Sequence, residues 1–122
     1  MKARPMKLTV FLLPLLILAA PAAAQHDAED ETWSWCVADA SSPAGKLRYF
    51  SDPFEGETGP DIQGAFAEYL KQIYTPRDKA SGFAVTCQTD AGLKANVASL
   101  AAAKVPKPGV RDVPTGWRFH FE

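Results

Sequence analysis

The sequence predicts an α+β fold with the element order β-β-α-β-α-β, in which a mixed sheet carries two helices packed on one face. Three observations lead there. Short stretches alternate apolar and polar residues with a period of two, as strands do. Two longer stretches repeat their apolar residues every three or four positions, as helices do. Clusters of Gly, Pro, Ser and Asp separate these stretches.

Residues 32–40, "TWSWCVADA", set Trp33, Trp35 and Val37 on one side and Ser34, Cys36 and Ala38 on the other. The turn formers "SSPAG" follow. Residues 46–52, "KLRYFSD", then oppose Leu47 and Tyr49 to Arg48 and Phe50, so the two strands read as a hairpin. An acidic connection with Asp52, Glu55, Glu57 and Asp61 leads into "DIQGAFAEYLKQIY". There Ile62, Phe66, Tyr69, Leu70, Ile73 and Tyr74 form one helical stripe. Gly59-Pro60-Asp61 suits its start, and Pro76 is expected to end it.

Residues 81–89 form the third strand, with Phe83, Val85 and Cys87 on one face. Thr89 or Asp90 is placed to cap a second helix whose stripe is Leu93, Val97, Leu100 and Ala101. "VPKPG" stops that helix. "VRDV" and "GWRFHF" read as a last strand, interrupted by a turn at 113–116. Helices that link strands make crossovers, so a hairpin and two crossovers give a mixed sheet.

The first 24 residues read as a bacterial-style signal peptide. Lys2, Arg4 and Lys7 precede the 13-residue apolar run "LTVFLLPLLILAA", and Ala22 and Ala24 supply the small residues before a cut. The run is shorter than the ~20 residues a membrane-spanning helix needs, which disfavours a retained anchor. A cut after Ala23 would expose His26 as a third-position copper ligand, but it puts Pro21 where a small residue is required. Residues 25–31, "QHDAEDE", read as a disordered acidic tail, and 32–122 as a single domain. Cleavage removes three cations, leaving 98 residues with 10 basic and 14 acidic side chains, a net charge of about −4. Such a chain is not built to neutralise phosphates, so nucleic acid is not an expected partner. After cleavage no apolar run of spanning length remains. The predicted location is the periplasm or the medium.

Two cysteines in an exported chain point to a Cys36–Cys87 disulfide. They lack the C-x-x-C spacing of a redox pair.

The chemistry-bearing residues are sparse. Counted from Asp52, the acidic connection puts Phe54, Gly56 and Glu57 at positions where an EF-hand needs two oxygen ligands and a glycine, so that pattern fails. Its carboxylates share one loop rather than facing across a cleft, which argues against a glycosidase pair. There is no nucleophile elbow, phosphate loop or dinucleotide fingerprint. With the cysteines paired, too few ligands remain for zinc. No catalytic residue, metal site or cofactor is therefore assigned. The least implausible enzyme set is Ser51, Asp52 and His120.

What remains is aromatic. With both helices on one face, the other sheet face would offer a platform for a sugar ring or a protein. Its candidate residues are Trp33, Trp35, Tyr49, Asp52, Phe54 and Trp117. The competing reading makes these aromatics core.

A set of anchors also looks familiar: Trp35-Cys36, "YFSDPFEG" leaving the second strand, Phe66, Tyr69 and Tyr74 in the helix, Cys87, and "VPTGW" near the end. Spanning residues 35–117, it resembles small exported bacterial two-cysteine α+β proteins of unknown function with Y-[YF]-S-D-x-F and T-G-W motifs. The resemblance implies an exported single domain and carries no activity. The functional expectation is an exported, non-enzymatic binding or interaction module stabilised by one disulfide, with an envelope protein or a glycan as partner. The alternatives are a small envelope hydrolase and a structural subunit of an envelope complex.

Overall fold

The protein is described by a computed structural model covering residues 31–120. The expected signal segment, residues 25–30 of the tail and the last two residues lie outside the described residues. Glu31, the tail's last residue, is not loose: its carbonyl accepts the Gly92 N–H at 2.7 Å.

The order is β1 (Thr32–Ser42), β2 (Gly45–Phe50), β3 (Phe54–Glu55), α1 (Pro60–Asp78), β4 (Ser81–Ala91), α2 (Leu93–Ala103) and β5 (Val110–Pro114). The chain is α+β with a mixed sheet, as expected; the short β3 inside the acidic connection adds a fifth strand to the expected four. β1 is central. It runs antiparallel to β2 and β3 along one edge and to β4 along the other, and β5 pairs in parallel with β2.

The two helices do not share a face. Cys36, Ala38 and Ala40 of β1, with Leu47 and Tyr49 of β2, pack against Ile62, Phe66, Leu70 and Tyr74 of α1. The alternate residues, Trp35 and Phe50, pack against Leu100 of α2. The cause is directional. The chain crosses from β2 over β1 to β4 through α1, then returns from β4 over β1 and β2 to β5 through α2. Two crossovers of the same hand that travel in opposite directions must lie on opposite faces.

Pro76 does not end α1, which continues to Asp78. The last turn is held from outside. The Tyr49 hydroxyl donates to Asp78 at 2.8 Å, and Lys79, in the left-handed conformation at φ 57°, donates its N–H to the Thr75 carbonyl. Neither Thr89 nor Asp90 caps α2, whose N-cap is Gly92 with no side-chain cap. Its buried positions are Asn96 and Leu100, while Val97 of the expected stripe is 48% exposed.

One buried cation ties the α2 layer to the sheet. Arg48 makes a two-pronged contact with Asp112, at 2.7 and 2.8 Å, and donates to the Ala103 and Val105 carbonyls. Its fork meets the carboxylate and the helix end together, a geometry that lysine lacks.

The Cys36–Cys87 disulfide joins directly paired residues of β1 and β4. Among the described residues no helix is long and apolar enough to cross a membrane.

Candidate functional site

Of the six residues expected to form a ligand surface, three are core. Trp35 is 6% exposed, Tyr49 0% and Phe54 2%. Trp35 lies on the α2 face and Tyr49 on the α1 face, so the two cannot share a platform. The Trp35 indole N–H donates to Ser99 of α2 at 2.7 Å. The phenol of Tyr49 is pushed up in pKa, first by burial and then by its hydrogen bond to Asp78. Trp117 is half-buried and lies between Phe66, tilted at a ring-centroid distance of 4.8 Å, and Phe54, edge-on at 5.9 Å.

Trp33 and Asp52 remain partly exposed. Trp33 lines an open cleft of about 650 Å³ at the end of the sheet where β1 begins. β3 forms one wall, because Trp33 pairs with Glu55 and Ser34 with Phe54. The Ser34 hydroxyl donates to the Gly56 carbonyl at 2.7 Å, which leaves it to accept from Thr89 at 2.8 Å. The other wall is the irregular segment after β5. The Asp52 N–H donates to the Trp117 carbonyl at 2.8 Å, and Arg118 reaches Asp52 at 3.5 Å. This tether presents Arg118, Phe119 and His120 to the cleft, opposite Glu55 and Glu57.

The acidic connection is thereby divided. Asp52 pairs with Arg118, Glu55 belongs to β3, Glu57 lines the cleft, and Asp61 sits in the first turn of α1. Among the described residues no group of three or more His, Cys, Asp or Glu is arranged to hold a metal.

The hydrolase set does not assemble. Ser51 is 1% exposed, and its hydroxyl accepts the Cys36 N–H at 2.8 Å and donates to the Asp52 carbonyl at 3.0 Å. His120 lies on the cleft wall, and Ser51 is not among the cleft's lining residues. A serine whose hydroxyl closes a backbone gap in the core is not offered to a substrate.

Glu57 enters the sequence reading only as part of the acidic connection, and Arg118 and Phe119 stand outside its ligand surface. The faint signal for Arg118 and Phe119 is the alternation of Trp117 and Phe119 with Arg118 and His120, which survives without a strand: the first pair is half-buried and the second exposed. Compared with known proteins, the chain matches no protein family, no curated protein and no solved structure.

Proposed function

We propose that the chain is an exported, non-enzymatic binding module, and that its recognition surface is the cleft between β3 and the segment 117–120. The observation that carries this reading is the mixture lining one open cleft: the aromatic rings of Trp33 and Phe119, the carboxylates of Glu55 and Glu57, the guanidinium of Arg118 and the imidazole of His120. Aromatic faces suit the apolar side of a sugar ring, and fixed charged groups suit its hydroxyls. A glycan segment of the cell envelope is the ligand class this lining fits best. Export is supported by the signal-like first 24 residues and by the disulfide.

The test is a glycan-binding screen with the disulfide-bonded chain starting at Gln25, followed by titration of any ligand found. His120→Ala and Arg118→Ala are expected to weaken binding about fivefold or more, a loss of ~1 kcal/mol. Both side chains are exposed, so both variants should fold. A screen without binding, or binding that both variants leave intact, overturns the reading.

A further inference from the structure

The outer edge of β4 carries the argument. β4 is 11 residues long and, among the described residues, pairs with β1 alone. The direction of its backbone groups follows from three hydrogen bonds. The Cys36 carbonyl accepts from Ser51 and the Cys36 N–H donates to the Ser51 hydroxyl, so both groups point away from β4. The Cys36–Cys87 rung is therefore one without ladder hydrogen bonds, in keeping with its Cα separation of 4.0 Å. On the other parity, the Gly92 N–H bonds back to Glu31. From Phe83 onward, where Phe83, Val85 and Cys87 keep to one face, odd residues of β4 thus aim N–H and C=O outward and even residues serve β1; before it, at Gly82, the register shifts by one residue and Ser81 pairs with Ser41.

Natural edge strands are blunted with lysine, proline, bulges or short length, and the irregularity of β4 is confined to its first residues, around Gly82. This one has none of these between Phe83 and Thr89, "FAVTCQT", and the only charged residue of β4 is Asp90. We propose that β4 is the docking edge for a second copy of this chain, joined antiparallel about a two-fold axis at Thr86. In that register Val85 faces Cys87 and Phe83 faces Thr89, all with outward backbone groups. Four such rungs supply about eight backbone hydrogen bonds. Thr86, whose side chain is exposed, meets its own counterpart, a favourable cross-strand pair. Asp90 lies outside these four rungs, level with the irregularity at Gly82, so no like charges oppose each other. The contact is isologous and closes after two copies. It lies along a different edge from β3 and does not depend on the cleft's ligand.

The experiment is mass measurement by light scattering on the disulfide-bonded chain over a dilution series, with amide hydrogen exchange on the same samples. The expected mass is twice the monomer's at high concentration, falling on dilution. The amides of Phe83, Val85, Cys87 and Thr89 should become slower to exchange as the dimer forms. Thr86→Lys puts two cations face to face, and Val85→Pro removes an outward N–H that β1 does not use. Each is expected to give a monomer with an unchanged circular dichroism spectrum, and Thr86→Lys keeps the test open should the proline variant fail to fold. A monomer at all concentrations overturns the proposal. So does a dimer that persists in folded Thr86→Lys, or edge protection independent of concentration, which would mean that a segment of the same chain covers β4.

Discussion

The carboxylate of Asp90 collects three donors: Ser99 at 2.7 Å, Asn96 at 2.9 Å and Gln88 at 3.0 Å. Ser99 in turn accepts from the Trp35 indole, so a single acid organises the polar contacts between β1, β4 and α2. The hydrogen bond from Ser99, followed by that from Asn96, holds the Asp90 pKa below its ordinary value against the opposing effect of burial. A depressed folded-state pKa contributes stability at pH values above the unfolded carboxylate's, and that contribution is lost as pH falls through the folded value. Asp90→Asn is therefore expected to melt lower than the parent at pH 7, with the gap narrowing at an acid pH below the ordinary carboxylate range. Thermal melts of both proteins at the two pH values check this; a constant gap would place the effect in packing rather than ionisation. The sequence pointed to Asp90 only as a possible helix cap. Position along the chain marks a residue near a helix start, but the partners it meets are fixed by how α2 lies on the sheet.

At the scale of elements, α1 and α2 differ in how readable they were. The α1 stripe is long, and Ile62, Phe66, Leu70 and Tyr74 are buried as the period required. α2 is rich in alanine, so its apolar residues mark no narrow face. Its orientation is set by polar anchoring, through Asn96 and Ser99 to Asp90 and through its C-terminal carbonyls to Arg48. That rotates Val97 outward and Asn96 inward, a choice no hydrophobic pattern encodes. β3 was equally hidden, because two residues offer no period. The helices therefore respond differently to truncation. Leu70→Ala, at a site with 0% exposure, is expected to cost about 2–5 kcal/mol. Val97→Ala, at an exposed site where alanine is the better helix former, should fall within about 0.5 kcal/mol of the parent. Urea unfolding of both variants measures the contrast, and a Val97→Ala cost near that of Leu70→Ala would mean that the α2 face is assigned wrongly.

Across the whole molecule, the sheet is covered unequally. α1 closes a continuous aromatic core, while α2 covers a smaller cluster of Trp35, Phe50 and Leu100. Among the described residues β4 is an outer strand that pairs along one edge only, so its hold on the rest comes from β1, the helices and the disulfide. The Cys36–Cys87 bond closes a sequence separation of 51, enclosing β2, β3 and α1. In the chain-entropy account a loop of this length contributes about 4 kcal/mol. A domain of this size is held by roughly 5–15 kcal/mol in total, so one bond supplies a large fraction of the margin. A Cys36→Ala/Cys87→Ala double variant is expected to melt about 15–30 °C below the oxidised parent. Reductant should lower the parent toward the variant and leave the variant unmoved. A double variant within a few degrees of the parent would show that the packing of α1 against β1 and β2 fixes β4 in place without the bond, and that the disulfide guards the chain only against slow opening of its edge.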